Sequence, residues 1–239
     1  MDDIIVPGSS VEESLFRLEH IFIRLRETNL KLKPSKYILF QKSVKLLGHV
    51  VSEEGTHTDP DKIEAVQNWP THKSIKEIKS FLGLCSYYRK FVKGFADIVR
   101  PLHKACQKGL KFTWTETCED AIEKLKKSTI TPPILIYPVP GKHFILDTDA
   151  SDKAVGAVLS QQIDDKEHVI AYMSKALNKH ETSYCTRKEL FAVITALTNF
   201  PSYIYGQNVL LRTDNAAVSW MRNLKNPTGQ VARWLQELK

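Results

Sequence analysis

The stretch from Phe144 to Ser160 limits most strongly what this chain can fold into. Its apolar start leads into Asp147 and Asp149, and a short polar turn separates these acids from a second apolar run, Val155 to Leu159. Two apolar runs around a polar turn predict a β-hairpin. The first strand of that hairpin therefore delivers a carboxylate, that of Asp149, at its end.

Two further acids occupy comparable positions later in the chain. Glu189 lies on the border of the apolar face of a predicted helix over residues 187–197, where this helix meets the sheet. Asp214 ends a predicted strand that starts at Val209, and a predicted helix over 216–221 follows it. The order is therefore a strand-end Asp, a helix-edge Glu and a strand-end Asp.

Each of these acids alone is better explained as a turn residue, a helix cap or a solvated helix acid. The ordered triplet favours a different interpretation, because three carboxylates that converge on one site repel one another unless divalent cations neutralise them. Ligands that are all oxygen atoms favour magnesium, or manganese, over zinc. The pattern therefore predicts a metal-dependent site.

In their local contexts, Thr-Asp149-Ala-Ser, Lys-Glu189-Leu and Arg-Thr-Asp214, these acids resemble the ribonuclease H domain of gypsy-type LTR retrotransposon Pol polyproteins. The order also separates the chain from integrase-type relatives of that fold, which carry Asp, Asp and Glu. The resemblance implies that the three acids hold Mg²⁺ (Mn²⁺ is possible) and cleave the RNA strand of an RNA/DNA hybrid. Asn215 stands where the family often has His, which leaves the carboxylate intact.

The first residues resemble the end of another motif of the same polyproteins. Met1-Asp2-Asp3-Ile4 matches the last positions of the Tyr-x-Asp-Asp turn of the reverse transcriptase palm. The resemblance implies that Asp2 and Asp3 are polymerase carboxylates that bind metal ions; without it, they would be solvated terminal acids. Because the fingers and the third palm aspartate lie upstream in the family, we expect no polymerisation by this chain alone.

Positive charge concentrates in residues 71–111, which hold ten Lys and Arg against two acids, a surplus of eight. Residues 112–239 hold fifteen Lys and Arg against fourteen acids, so the positive surplus of the chain, a net charge of +7, comes from the segment 71–111. Such a segment suits a polyanion such as nucleic acid, although a basic run can also be a plain solvated face.

The run Phe81–Phe95, with Trp69-Pro70 ahead of it, resembles the thumb of gypsy-type reverse transcriptases. Tyr87, Phe91 and Phe95 recur every four residues, and we interpret them as a core stripe in preference to a binding surface. The resemblance implies nucleic-acid contacts nearby, and the candidate residues are Lys79, Gly83, Tyr87, Arg89, Lys90 and Lys93.

The resemblance spans the whole chain and predicts an α+β or α/β architecture of several subdomains, a partial palm and a helical thumb followed by a ribonuclease H-like mixed sheet with helices. Capping boxes at Ser9 and Ser74 predict helices after them, and short strands are predicted over 30–36 and 45–52. The predicted divisions are the palm part over 1–70, the thumb over 71–111, a connection over 112–140 and a C-terminally truncated nuclease domain over 141–239.

Other classes of protein are disfavoured. The four cysteines are scattered without C-x-x-C spacing, which indicates reduced thiols. No apolar run approaches the length of a membrane span, and no secretory leader opens the chain. We expect an intracellular protein without a membrane partner, in cytoplasmic virus-like particles or in the nucleus.

The predicted function is therefore that of a fragment of a reverse transcriptase with ribonuclease H activity. Its predicted partners are an RNA/DNA hybrid, template-primer nucleic acid, and the remaining Pol segments: fingers, upstream palm and integrase. Because only three of the family's four nuclease acids are present, we expect weak or no cleavage. Two alternatives are a catalytically dead, nucleic-acid-binding remnant, host-adopted or degenerate, and a metal-dependent nuclease with another substrate.

Overall fold

The computed structural model describes residues 4–70, 74–107, 109, 111–183 and 188–213. Contacts divide the chain into two units, one up to Glu53 and one from Glu54 onward. The predicted domain boundaries remain predictions, because this division concerns packing alone.

The first unit begins with helix α1, Val11–Glu27. Ser10 caps it by accepting a 3.1 Å hydrogen bond from the Glu13 amide, so the cap lies one residue after the predicted Ser9. The strand predicted over 30–36 is wrong: the chain makes a 3-10 turn at Pro34–Lys36, where proline has no amide hydrogen for a sheet.

The second predicted strand segment of this unit is a hairpin. Strands β1, Ser43–Leu46, and β2, His49–Ser52, pair antiparallel. Leu47 and Gly48 turn the chain with φ of 45° and 68°, the left-handed conformation that tight hairpin turns require.

The second unit starts with strand β3 and a group of helices. Asp59 caps one of these helices and Pro60 occupies its first position; Ser74 caps the next by accepting from the Glu77 amide, as its capping box predicts. The elements are β3 Gly55–Thr58, α2 Pro60–Gln67, α3 Ile75–Tyr87, a 3-10 turn at Arg89–Phe91, α4 Phe95–Ala105 and α5 Glu116–Ile130.

A four-stranded mixed sheet with a helix packed on it completes the unit. Its elements are β4 Phe144–Ala150, β5 Ala154–Ile163, β6 Lys166–Ala176, α6 Lys188–Asn199, the short α7 Pro201–Ile204 and β7 Val209–Thr213. The strand order is β6-β5-β4-β7, with β7 parallel to β4 and the other pairs antiparallel. The predicted hairpin and helix are confirmed, as is the predicted strand from Val209 up to Thr213, and the structure shows that this strand is parallel to β4. The predicted helix over 216–221 lies outside the described residues.

Two apolar cores hold the second unit together. In the helical core, Phe81 of α3 packs with Leu102 of α4 and Leu125 of α5, all of them fully buried. In the sheet core, α6 covers the central strands, and Leu146 and Leu159 are completely buried there.

A smaller cluster joins the two cores. Tyr88 and Phe91, which follow α3, are buried with Leu135, and Val169 and Tyr172 of β6 pack against them. The helices therefore lie directly against the outer strand of the sheet.

The segment that connects the helices to the sheet is held by one buried amide. Gln161 of β5 accepts a 2.8 Å hydrogen bond from the Val139 amide and donates to the Lys142 carbonyl at 3.0 Å. All polar atoms of this side chain thereby have partners although it is fully buried.

The structure bears on two predictions, that the cysteines are reduced thiols and that no segment spans a membrane. Cys85, Cys106 and Cys118 are free thiols, and Cys185 lies outside the described residues. Within the described parts of the chain, no helix has the length and apolarity that crossing a membrane would require.

Candidate active site and nucleic-acid interface

The two acids of β4 have different surroundings. Asp147 is half-buried, and both its oxygens accept 2.6 Å hydrogen bonds from Arg212 of β7. Asp149, two residues farther along, is exposed and makes no hydrogen bond or ion pair with the described residues. The carboxylate of Asp149 is therefore available to a ligand, whereas that of Asp147 already has a cation.

Arg212 connects three strands on this surface. Besides Asp147, its Nη2 atom donates to both oxygens of Glu167 on β6, at 2.8 and 2.9 Å. These hydrogen bonds raise the pKa of Arg212 above its usual value, and those to Asp147 have a larger effect than those to Glu167. Arg212 is therefore a fixed positive charge that neutralises structural carboxylates.

Glu189 is the second residue of α6 and is half-buried. Its neighbour Lys188 places its Nζ atom 2.7 Å from Oδ1 of Asp152, a residue of the turn between β4 and β5. This contact, chiefly its hydrogen bond, lowers the pKa of Asp152. The first turn of α6 consequently lies beside the turn that follows Asp149, at the same end of the strands.

The third predicted acid, Asp214, lies outside the described residues, as do Asp2 and Asp3. The parallel pairing of β4 and β7 is described up to Thr148, which is in register with Thr213. The hydroxyl oxygens of both threonines are buried and have no partner among the described residues. Such unsatisfied groups are rare, and these two directly precede the predicted acids in sequence.

No group of three or more His, Cys, Asp or Glu side chains that could hold a metal ion occurs in the described parts of the chain. The predicted set is only partly contained there, since it includes Asp214. The donor chemistry of Asp149 and Glu189 fits a hard cation, because both are oxygen ligands and the first is exposed and has no partner among the residues that the structure describes. The sequence prediction of a magnesium site therefore remains a prediction.

One face of α3 forms an exposed stripe of basic, small and aromatic residues, which we call the α3 face. Three of its members, Lys79, Gly83 and Tyr87, were predicted to contact nucleic acid; the members are Lys76, Lys79, Ser80, Gly83, Ser86 and Tyr87, all exposed. A shallow, open depression lies at its start. Lys76 and Ser80 were absent from the predicted site, although helical spacing from Lys79 and Gly83 identifies both.

Gly83 has no packing role within the described chain. A Cβ atom built on it meets no atom within 4 Å, yet glycine inside an exposed helix costs about 1 kcal/mol relative to alanine. The open surface at Gly83 would let the backbone of a partner approach α3 closely.

The predicted contact residues after α3 have varied surroundings. Arg89 donates a 2.7 Å hydrogen bond to the Ser174 carbonyl of β6, and Lys90 is half-buried with its Nζ 5.3 Å from the Phe91 ring centroid. Burial lowers the pKa of Lys90. Lys93 is exposed. Contacts of these side chains with nucleic acid remain predictions.

The predicted core stripe is wrong at Tyr87 and right at Phe91 and Phe95. Tyr87 is 45% exposed, whereas its neighbour Tyr88 is fully buried. The four-residue spacing fails because α3 ends at Tyr87 and a 3-10 turn follows, which rotates the next side chains relative to the helix.

Residues 114–211 match the family described as an RNase H-like domain found in reverse transcriptase. This segment contains α5, the strands β4 to β6, Asp149 and Glu189.

Transposon polyproteins match along most of the chain. It is 37% identical over 240 residues to the retrovirus-related Pol polyprotein from transposon 412 of Drosophila melanogaster, with 100% of this chain and 19% of the relative covered. It is 39% identical over 237 residues to the Pol polyprotein from transposon 297 of the same species, with 98% of this chain and 22% of the relative covered. It is 34% identical over 206 residues to the transposon Tf2-3 polyprotein of Schizosaccharomyces pombe, with 85% of this chain and 16% of the relative covered. The chain thus spans about a fifth of the length of these relatives.

Solved structures show the same fold. A foamy viral protease-reverse transcriptase in complex with RNA/DNA hybrid matches with a TM-score of 0.80 at 22% identity, over 98% of this chain and 33% of that one. A foamy viral protease-reverse transcriptase in complex with dsDNA matches with a TM-score of 0.75 at 22% identity, over 97% of this chain and 49% of that one.

Proposed function

This chain belongs to the Pol polyproteins of LTR retrotransposons, in the region with the RNase H-like domain of reverse transcriptase, and from this premise we propose that it binds RNA/DNA hybrids and cleaves their RNA strand. The observation that carries the proposal is the contrast on β4. Asp147 is paired with Arg212, whereas Asp149 presents an exposed carboxylate without a described partner.

The arrangement of the elements supports a shared site for the three acids. The contact between Lys188 and Asp152 holds the α6 start, with Glu189, next to the turn that follows Asp149. The pairing of β4 with β7 is described up to Thr148 and Thr213, the residues that directly precede Asp149 and Asp214 in the sequence.

Asp149, Glu189 and Asp214 would hold the Mg²⁺ ions, and Mn²⁺ could replace them. Bound there, the metal would lower the pKa of a water and stabilise the charge that develops on the phosphodiester. The protein would contribute carboxylates at one end of the strands, and Asp147 and Glu167 keep Arg212 engaged.

The α3 face is the proposed docking surface for the hybrid. Its exposed lysines would pair with phosphates, and Tyr87 would lie against a sugar. The finer divisions, palm over 1–70, thumb over 71–111 and connection over 112–140, belong to this proposal and rest on the family resemblance. RNA-directed DNA polymerisation is proposed for the intact polyprotein, with Asp2 and Asp3 among its metal ligands.

The test is cleavage of a labelled RNA/DNA hybrid by the 239-residue chain with Mg²⁺, with Mn²⁺ and with EDTA. We expect weak but measurable cleavage of the RNA strand with either metal, and none with EDTA. Asp149→Asn should lower the rate at least about a hundredfold, because it removes a charged ligand while keeping the shape of the side chain.

Asp165→Asn is the matched control. Asp165 is an exposed acid in the turn between β5 and β6, at φ of 60°, a conformation that asparagine also adopts readily. Its cleavage rate should equal that of the unmodified chain. Cleavage that survives Asp149→Asn undiminished would contradict the assignment.

The α3 face also favours a second candidate function, hybrid binding without cleavage. In that case the unmodified chain would bind the hybrid with an affinity that falls steeply with salt, because released counterions drive phosphate contacts. It would not cleave the hybrid with Mg²⁺ or Mn²⁺.

A further inference from the structure

Two lysine ammonium groups connect the first turn of α6 to the sheet and its turns. Lys188, the first residue of α6, reaches Asp152 in the turn between β4 and β5 at 2.7 Å. Lys175, near the end of β6, lies 4.7 Å from the ring centroid of Phe191, the fourth residue of α6. Glu189 stands between these two contact residues.

Lys175 also contacts the segment that leads into α6. Its Nζ is 2.8 Å from Oε1 of Glu181, whose other carboxylate oxygen accepts a 2.8 Å hydrogen bond from the Asn178 amide. The Glu181 side chain is only 13% exposed, so its charge is largely removed from water and requires these partners. One ammonium group therefore connects β6, the chain before α6 and the first turn of α6.

The two lysine contacts differ in strength. Asp152 is 93% exposed, and an ion pair with so exposed a partner is weak because solvent screens it. Lys175 is itself 41% exposed, but it has two described partners, the 13% exposed carboxylate of Glu181 and the ring of Phe191, where Lys188 has one. Lys175 is therefore the more important support of the helix start.

We propose that Lys175 is a positioning residue for Glu189: it fixes the first turn of α6 on β6, and so sets where the Glu189 carboxylate stands at the edge of the sheet. The proposed role requires no contact of Lys175 with substrate or metal. The proposal rests on the proposed nuclease function for its catalytic consequence, since metal ligands must be held within a fraction of an ångström to be effective.

The first test is amide hydrogen exchange of the full 239-residue chain without metal or nucleic acid. Lys175→Met keeps the length and apolar stem of the side chain but removes the charge. Exchange should become faster over 188–193 and stay unchanged over 194–199. Lys175→Arg should restore slow exchange, because arginine retains both the ion pair and the contact with the ring.

The matched control is Lys166→Met. Lys166 is exposed at the start of the same strand, and its side chain has no partner among the described residues. It should leave exchange over 188–193 unchanged. Unchanged exchange in Lys175→Met, or an equal increase along the whole of α6, would overturn the proposal.

The second test is hybrid cleavage as a function of Mg²⁺ concentration. Lys175→Met should lower kcat by about tenfold with KM for the hybrid unchanged, and should require more Mg²⁺ for half-maximal rate. Lys175→Arg should recover both values. Unchanged kcat and metal requirement in Lys175→Met would contradict the positioning role.

The two tests separate this inference from the function on which it rests. If the unmodified chain does not cleave hybrids, the proposed function fails, and hydrogen exchange alone still decides whether Lys175 fixes the first turn of α6.

Discussion

Arg212 lies opposite Asp147 in the parallel pairing of β7 with β4 and binds both of its carboxylate oxygens at 2.6 Å. Asp149 follows two residues later with no such partner in the described structure. Two acids in one strand therefore have separate roles: one stabilises the sheet and the other is available to a ligand.

This separation predicts opposite effects of the same substitution at the two positions. Asp147→Asn should lower the free energy of unfolding by up to about 1 kcal/mol, a modest amount because the pair is partly solvated, and should leave most hybrid cleavage intact. Asp149→Asn should leave stability within about 0.5 kcal/mol and abolish cleavage. Denaturant unfolding and a cleavage assay on both variants check this; a loss of cleavage in both with equal destabilisation would contradict it.

Gly83→Ala should separate stability from binding at the α3 face. The added methyl group meets nothing within 4 Å, so we expect the variant to gain about 1 kcal/mol from the higher helix propensity of alanine. If the hybrid approaches α3 closely at this point, the same methyl group should weaken hybrid binding several-fold. The measurements are thermal unfolding and a binding titration.

Lys79→Ala supplies the comparison for that variant. It should weaken hybrid binding more at low salt than at high salt. The slope of log affinity against log salt concentration should fall by about one, as expected for the loss of one phosphate contact. Tighter or unchanged hybrid binding by Gly83→Ala would exclude close approach at α3.

Ser174→Ala tests the contact between helices and sheet. The Ser174 hydroxyl accepts a buried 2.9 Å hydrogen bond from the Ala96 amide, near the start of α4. Without it that amide loses its partner, and the free energy of unfolding should fall by about 1 to 3 kcal/mol. Ser86→Ala, on the exposed α3 face, should change the free energy of unfolding by less than about 0.5 kcal/mol. Equal effects of the two variants on the denaturation midpoint would be inconsistent with the contact.

Glu181 predicts a dependence of stability on pH. Burial alone would raise the pKa of Glu181, but the hydrogen bond from Asn178 and the contact with Lys175 outweigh it and lower that pKa. A carboxyl whose pKa is lower in the folded state stabilises the fold above its unfolded value, 4.5, and this contribution is lost as the pH falls through the folded value.

The measurement for Glu181 is the free energy of unfolding between about pH 7 and about pH 3, for the unmodified chain and for Glu181→Gln. The difference between the two should be constant above about pH 5 and should shrink toward lower pH. A difference independent of pH would show that the ionised carboxylate does not contribute.

The sequence predicted the parts of the fold that depend on local patterns. The hairpin around Asp149, helix α6 and the strand β7 appear near their predicted positions, because alternation, helical spacing and turn residues are local signals. The strand predicted over 30–36 failed for a local reason as well, the proline at position 34.

Contacts between distant residues were not predictable in this way. Nothing near Arg89 in the sequence indicates that it donates to Ser174, and nothing near Asp147 indicates Arg212 as its partner. The exposure of Tyr87, which was predicted to be a core residue, depends on where α3 ends, and a periodic pattern does not fix the end of a helix to within one residue.

The cluster of Tyr88, Phe91 and Leu135 against Val169 and Tyr172 has a consequence for folding. Neither the helices nor the sheet can lose its structure without uncovering apolar surface of the other. Residues 54 to 213 should therefore melt in a single cooperative transition, and hinge-like separation of the helices from the sheet would carry the energetic cost of opening a shared core.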